Sequence, residues 1–244
     1  MKGRRVVVTG AGRGLGEAFA VAFTDAGAHV TLAARNPEAL ARIATAISTR
    51  CGSRPETLVL DLADLEAVTR LTAQWRDEGR SLDILVNNAA MWQEGSFDCS
   101  DDALVALINA NVTGTMLLTK GLLPILQKSQ RADIVNIVSV SGLPHAAQQN
   151  ASVAFMTSKS AQAGFTNALR QELRDRPIRL TAIYPPNLED ISPLNDKEWR
   201  KPRSVDAWVN NRDVIEAVMA ALQRGRHVSF QSILIESATS NLHL

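Results

Sequence analysis

Short runs of β-branched and aliphatic residues alternate with longer helix-forming stretches along the whole chain. The runs predict seven strands, near residues 5–9, 29–33, 56–60, 82–86, 132–138, 178–184 and 228–235. The stretches between them predict helices near 14–26, 37–50, 64–77, 101–128, 152–175 and 210–223. Continuous apolar strands such as Ile84-Leu85-Val86 are typical of parallel sheets that helices cover on both faces. The predicted fold is therefore α/β, a doubly wound seven-stranded parallel sheet of the Rossmann type, with ligands at the carboxyl ends of the strands.

The length and charge of the chain restrict its function. The 244 residues are expected to form one domain, 1–244, because no change in composition marks an internal boundary. The 26 Lys and Arg residues nearly balance the 25 Asp and Glu residues, so no global field favours nucleic acid or an anionic membrane. Cys51 and Cys99 lack metal-ligand spacing, which predicts free thiols and no metal site. The apolar start is broken at Thr9 and Gly10, so we expect a soluble cytoplasmic protein without a signal sequence or membrane span.

A glycine-rich loop follows the first predicted strand and opens the first predicted helix. Gly10 would allow a tight turn there, Gly14 a close approach of the backbone to phosphate, and Gly16 close packing of the helix. The amino end of the helix offers free amide hydrogens to a pyrophosphate. The loop therefore predicts a dinucleotide site, to which we assign Thr9, Gly10, Gly12, Arg13, Gly14, Leu15 and Gly16.

The end of the second strand discriminates between NADP and NAD. An acidic residue there hydrogen-bonds the ribose 2′-hydroxyl of NAD, whereas an arginine accommodates the 2′-phosphate of NADP. The segment Leu32-Ala33-Ala34-Arg35-Asn36 contains no carboxylate, and Arg35 presents a planar cationic fork that suits a phosphate. The sequence therefore predicts NADP(H) as the cofactor.

Two further segments carry a resemblance to a known family. The segment Ile134 to Gly142, which reads Ile-Val-Asn-Ile-Val-Ser-Val-Ser-Gly, is followed by Phe155-Met156-Thr157-Ser158-Lys159. With the T-G-x-x-x-G-x-G spacing of the glycine loop, this pattern closely resembles the short-chain dehydrogenase/reductases over nearly all of the chain. The resemblance implies an NADP(H)-dependent oxidoreductase that transfers hydride between the nicotinamide and a small carbonyl or alcohol substrate.

The resemblance also implies roles for individual residues. Ser139 resembles the serine that hydrogen-bonds the substrate oxygen, with Ser141 as its substitute, and Lys159 resembles the lysine that binds the nicotinamide ribose. Asn111 resembles the asparagine that holds a water of the proton relay. Further cofactor contacts are implied for Arg13, which NADP-preferring members also carry, and for Asp61, Leu62, Asn88, Ala89, Lys159 and Pro185.

The substrate pocket is expected in three loops, 91–100, 141–150 and 187–204, with Trp92, Ser141, His145 and Tyr184 as candidate lining residues. Packing or contact with the nicotinamide carboxamide is the preferred role for Tyr184, and exposure to solvent the preferred state of His145. Since such proteins are commonly tetramers, we expect a homotetramer or homodimer that packs through helices 101–128 and 152–175.

Phe155 departs from the family pattern, in which this aromatic residue is the tyrosine that acts as general acid/base. A benzene ring has no proton to exchange, and a general acid usually contributes about 10²- to 10⁴-fold in rate. Three explanations stay open: a deliberate Tyr-to-Phe substitution, a natural enzyme that reduces iminium substrates and needs no phenol, and a non-redox protein that binds NADP(H). The separation of Ser139 from Phe155 also exceeds that of the family, which predicts a remodelled loop at 143–150.

Overall fold

The computed structural model describes residues 1–146 and 150–238, and one parallel sheet forms its centre. The strands are β1 (Arg5–Thr9), β2 (His29–Ala34), β3 (Glu56–Val59), β4 (Ile84–Asn87), β5 (Ala132–Ile137), β6 (Ile178–Tyr184) and β7 (Ser232–Leu234). They lie in the order β3-β2-β1-β4-β5-β6-β7, and every neighbouring pair is parallel. The predicted seven-stranded Rossmann-like sheet is confirmed.

Helices cover both faces of the sheet. They are α1 (Gly14–Asp25), α2 (Pro37–Cys51), α3 (Leu65–Asp77), α4 (Asp101–Ile108), α5 (Thr115–Leu126), α6 (Val153–Glu172), α7 (Asp196–Trp199) and α8 (Asn211–Leu222). One apolar core joins α1, α2 and α8 to the sheet, and a second joins α3, α5 and α6 to the opposite face. This two-sided cover is the reason that the central strands are apolar on both faces.

Side-chain caps determine where several helices begin. Asn36 accepts a hydrogen bond from the amide of Ala39 at 2.9 Å at the start of α2, and Asp64 accepts from Ala67 at 2.9 Å at the start of α3. A capping box of Asn210 and Asp213 opens α8. These polar residues satisfy amides that the first turn of a helix leaves without partners, so the helix starts were predictable from the sequence.

Two predicted elements differ from the structure. The predicted helix 101–128 is interrupted by a π-helical turn, Asn109–Gly114. A Cβ on Gly114 would lie 1.9 Å from the carbonyl oxygen of Leu62, so the turn rests directly on the loop after β3. The predicted strand 228–235 pairs with β6 over Ser232–Leu234. Before it, the carbonyl of Val228 accepts a hydrogen bond from Nη1 of Arg179 at 3.1 Å. The short helix α7 and the 3₁₀ turn Val140–Gly142 were not predicted.

The helical segment Asp101–Leu126, with its π-helical turn, is long and apolar enough, by length and composition alone, to cross a membrane. Its second half packs Leu118, Leu122 and Ile125 into the core under the sheet. Gly121 lies so close to α3 that an added Cβ would be 2.3 Å from Oγ1 of Thr72. The apolar character of this half is therefore accounted for by packing within the fold.

Candidate functional site

A cleft of ≈ 520 Å³ opens at the carboxyl ends of β1, β2 and β4. Strand ends in a parallel sheet meet at one edge, so loops that are distant in sequence line the same cleft. Of the residues assigned to the cofactor, the cleft is lined by Thr9, Gly10, Gly12, Arg13, Gly14, Leu15, Gly16, Arg35, Asp61, Leu62, Asn88 and Ala89. Lys159, in the second turn of α6, and Pro185, directly after β6, are buried and do not line it.

The glycine loop has a shape that side chains would prevent. Gly10 has a φ of +67°, and a Cβ on it would lie 2.8 Å from Cα of Ala89. A Cβ on Gly16 would lie 2.1 Å from the carbonyl oxygen of Gly10. Both positions therefore require glycine, and the amino end of α1 can approach the loop closely enough to present its free amides to an anion.

Thr9 joins the ends of β1 and β4 beneath the cleft. Its hydroxyl donates to the carbonyl of Val86 at 3.2 Å and accepts from the amides of Asn88 and Ala89, both at 3.0 Å. The side-chain amide of Asn88 donates back to the carbonyl of Thr9 at 2.9 Å. These four hydrogen bonds hold the two strand ends in a fixed register and so fix the floor of the cleft.

Two arginines stand at the mouth of the cleft. Arg13 is exposed, and the side chain of Arg35 is 60% exposed with Nη1 4.0 Å from a carboxylate oxygen of Asp61. An exposed pair at this distance contributes little, about 0–1 kcal/mol. The Arg35 guanidinium is therefore available to bind a phosphate group. Oδ1 of Asp61 separately accepts a hydrogen bond from the amide of Ala63 at 2.9 Å.

Asn111 is fully buried in the π-helical turn. Its side-chain oxygen accepts from the amide of Met91 at 2.7 Å, and its side-chain nitrogen donates to the carbonyl of Met91 and to Oγ of Ser158, both at 3.0 Å. Asn111 therefore fastens the loop after β4 to α6, and its own backbone carbonyl faces the interior.

Lys159 is buried on α6 without a carboxylate among its hydrogen-bond partners in the described part of the chain. Its Nζ donates to the carbonyl of Ile137 at 3.1 Å and to Oε1 of Gln162 at 2.9 Å. Burial lowers the pKa of Lys159 to about 7, because the charged amine loses its hydration. A neutral or a charged amine is thus accessible near physiological pH.

Gln162 completes a connection that the sequence analysis missed. Its side-chain nitrogen donates to the backbone carbonyl of Asn111 at 2.6 Å, so one side chain links Lys159 to Asn111. The signal for it was the helical spacing, because Gln162 lies three residues after Lys159 and hence on the same buried face of α6.

The ring of Phe155 is buried against Trp92. The two rings meet edge to face, with centroids 4.5 Å apart and planes at 71°. Nζ of Lys159 lies 5.6 Å from the centroid of the Phe155 ring. Residues 93–95 pair with 150–152, with Ser152 bonded to Gln93, and this pairing holds the Trp92 loop against the start of α6.

Ser139 follows the end of β5 in a strained conformation. Its φ is +127°, which side chains rarely adopt and which costs on the order of 1–3 kcal/mol. Its hydroxyl accepts from the amide of Ser141 at 3.2 Å. The turn that follows touches α6, since a Cβ on Gly142 would lie 2.7 Å from the carbonyl oxygen of Lys159. Ser139 and Ser141 thus lie at the junction of β5 with the helix that carries Phe155 and Lys159.

Tyr184 and His145 are not placed as acid/base groups beside Phe155. Tyr184 ends β6 and packs with Val138, Ala182 and Leu143 in an apolar cluster separate from the one that contains Phe155. His145 is exposed and has a φ of +63°. Both placements agree with the preferred alternatives of packing and exposure to solvent. Residues 147–149 of the predicted loop lie outside the described residues.

Asp190 lines the cleft and was not assigned from the sequence. It follows β6, and a Cβ on Gly14 would lie 3.5 Å from its Oδ2. The side-chain amide of Asn211 donates to Oδ1 of Asp190 at 2.7 Å. No motif marks this residue, because the segment after β6 reaches the glycine loop only through the fold.

Neither cysteine lines the cleft. Cys51 and Cys99 are free thiols. Within 1–146 and 150–238, no three His, Cys, Asp or Glu side chains are grouped as ligands for a metal ion.

The buried amine of Lys159 gives a pH signature for stability. Between about pH 7 and the ordinary Lys value of 10.5, the unfolded chain carries a proton on Lys159 that the native chain lacks. The free energy of unfolding of wild type, relative to Lys159→Met, should therefore rise with pH in this window, by up to about 1.4 kcal/mol per pH unit. Below the window the native amine is charged as well, and the difference should be constant.

Urea unfolding of both proteins across this pH range measures the difference. Lys120→Met, which removes an exposed lysine from α5, is the control and should show no such slope. A difference between wild type and Lys159→Met that does not change with pH would contradict the prediction.

Comparison with known proteins gives a consistent picture. Residues 4–202 match the family model described as short chain dehydrogenase. An uncharacterized oxidoreductase of Staphylococcus saprophyticus is 30% identical over 230 residues, which cover 94% of this chain and 95% of that protein. An NADP-dependent 3-hydroxy acid dehydrogenase of Schizosaccharomyces pombe is 29% identical over 243 residues, which cover 96% of this chain and 93% of that protein.

Solved structures show the same fold. A metagenomic short-chain oxidoreductase in complex with NADP is 26% identical, with a TM-score of 0.79 and coverage of 98% of this chain and 99% of that chain. An alcohol dehydrogenase of the archaeon Thermococcus sibiricus has a TM-score of 0.82 at 20% identity, with coverage of 98% of both chains.

Proposed function

Because the chain belongs to the short-chain dehydrogenase family, we propose that it binds NADP(H) in the cleft and transfers hydride between the nicotinamide and a small carbonyl or alcohol substrate. The observation that carries the proposal is the pair Arg13 and Arg35 at the mouth of the cleft, with no acid at the end of β2. The named cofactors of the fission-yeast relative and of the metagenomic structure support the same assignment.

The described residues fit a dinucleotide. Gly10 and Gly16 leave the space that a Cβ would fill, so the amides at the start of α1 can hold a pyrophosphate. Arg35 would bind the 2′-phosphate. Lys159 does not line the cleft, and its role of holding the nicotinamide ribose rests on the family resemblance. When bound, the cofactor would supply the hydride, and the chain would orient the cofactor. Phe155 would offer no exchangeable proton to the substrate.

Reversal of the charge at Arg35 tests the cofactor assignment. Arg35→Asp should weaken NADPH binding tenfold to hundredfold, because a charge-assisted bond to the 2′-phosphate contributes about 1.5–3 kcal/mol. NADH binding should change far less, since NADH lacks this phosphate. Titration of cofactor fluorescence measures both affinities. Arg54→Asp, a charge reversal at an exposed arginine that does not line the cleft, is the control. Wild-type protein that binds NADH as tightly as NADPH would refute the NADP preference.

A second candidate function is reduction of an iminium substrate. It is favoured by Phe155, a buried ring without a hydroxyl whose centroid lies 5.6 Å from Nζ of Lys159. Hydride addition to an iminium carbon yields a neutral amine directly, whereas addition to a ketone yields an alkoxide that must be protonated. A protein that binds NADP(H) without redox chemistry is the third candidate.

We further propose a homo-oligomer that works in the cytoplasm. Exposed apolar side chains on the outer faces of the helices, Val105 on α4, Met116 on α5 and Val153 on α6, support contact with another copy. Such a contact would also give the apolar outer surface of Asp101–Leu126 a protein partner in place of lipid.

A further inference from the structure

The segment after β6 places a carboxylate against the part of the cleft that binds anions. Asp190 faces Gly14, the first residue of α1, and a Cβ there would lie 3.5 Å from Oδ2 and 3.8 Å from Oδ1 of Asp190. The amino end of a helix attracts negative charge through its free amides and its dipole. Asp190 therefore occupies the surroundings in which the diphosphate of a dinucleotide would lie.

The position of Asp190 is held from both sides. Asn211, which is 2% exposed, donates to Oδ1 of Asp190 at 2.7 Å and to the carbonyl of Ile191 at 3.2 Å. Glu189 pairs with Asn210 at the start of α8, and Ser192 donates to the buried carboxylate of Glu17 on α1. The carboxylate is thus part of a built segment that spans from α8 to α1.

The charges that line the cleft are unevenly distributed. Its acidic lining residues are Asp61 and Asp190, and its basic ones are Arg13 and Arg35. Asp61 lies 4.0 Å from Arg35. Among the described residues, the side-chain partner of Asp190 is the neutral amide of Asn211. No ion pair in the described ranges includes Asp190, whereas Asp61 lies beside the exposed Arg35.

We propose that Asp190 is a negative determinant of cofactor affinity, whose carboxylate opposes the pyrophosphate of NADP(H) and weakens its binding. This assignment rests on the proposed function. Asp190 is an exposed residue, so solvent screens part of the repulsion between its carboxylate and the phosphates, and the expected effect is of moderate size. A neutral side chain of the same shape should thus bind the cofactor more tightly, while the contact with Asn211 persists through the remaining side-chain oxygen.

The test compares two ligands on two variants. Asp190→Asn should bind NADPH about tenfold more tightly than wild type, which corresponds to about 1.4 kcal/mol. Adenosine 2′-monophosphate, which has the adenine and the 2′-phosphate but no pyrophosphate, should bind both proteins within about twofold. Asp206→Asn removes the same charge from an exposed residue that does not line the cleft, and it should leave both affinities unchanged.

Each outcome separates this assignment from the proposed function. Equal NADPH affinity of wild type and Asp190→Asn would overturn the role of Asp190 alone. Tighter binding of both ligands by Asp190→Asn, or an equal gain with Asp206→Asn, would also overturn it, because the effect would then be one of net charge. Folded wild type and Asp190→Asn that both fail to bind NADPH would overturn the proposed function itself.

Discussion

Phe155→Tyr should raise the turnover of carbonyl substrates by about 10²-fold or more and leave NADPH affinity nearly unchanged. The added hydroxyl would stand on a buried ring whose centroid is 5.6 Å from Nζ of Lys159. A nearby ammonium stabilises a phenolate, so this amine would assist the new phenol in exchanging its proton. The cofactor cleft is lined by other residues and should not change.

The measurement is oxidation of NADPH by wild type and variant with ketones and with the matching cyclic imines. Phe230→Tyr adds the same hydroxyl at a partly exposed position and serves as the control. Efficient reduction of ketones by wild type would contradict the prediction. Efficient reduction of imines by wild type, at a rate that rises as pH falls toward the substrate pKa, would establish the iminium alternative. If neither wild type nor Phe155→Tyr oxidises NADPH with any substrate, the remaining candidate is a protein that binds NADP(H) without redox chemistry.

Asp133→Ala should lower the free energy of unfolding by about 3–5 kcal/mol. Asp133 is 1% exposed on β5 and accepts hydrogen bonds from Arg4 at 2.6 Å, Arg179 at 2.7 Å and Arg226 at 2.9 Å. Removal of the carboxylate leaves three guanidinium groups around one site without their counter-charge. The effect on stability is therefore larger than that of an ordinary surface pair.

Urea unfolding at neutral pH measures this loss. Asp175→Ala, which breaks the exposed pair with Arg174, should change the free energy by less than about 0.5 kcal/mol. Arg226→Met removes one of the three cations and leaves the carboxylate paired with the other two, so it should lower the free energy of unfolding by less than Asp133→Ala does. It also tests the cluster if Asp133→Ala fails to fold. A loss below about 1 kcal/mol for Asp133→Ala would contradict the buried-cluster account.

Most of the fold and of the cofactor cleft could be predicted from local sequence patterns. Strands and helix caps depend on a few consecutive residues. Glycines at positions where a Cβ would clash with neighbouring backbone, such as Gly10 and Gly16, can be recognised by their spacing. Gln162 and Asp190 were missed because their roles depend on distant neighbours, the carbonyl of Asn111 and the glycine loop. The π-helical turn was missed for the same reason, since the approach of Gly114 to Leu62 is a tertiary contact.

The π-helical turn sets the rotational phase between two halves of one long helix. Successive residues of an α-helix are rotated by about 100°, so a turn with one residue more shifts α4 by that angle relative to α5. In the observed phase, Leu107 of α4 packs in the cluster with Phe155, while Leu118 of α5 packs in the core under the sheet. The extra residue thus lets one long helix pack into the core under the sheet with α5 and into the separate apolar cluster around Phe155 with α4.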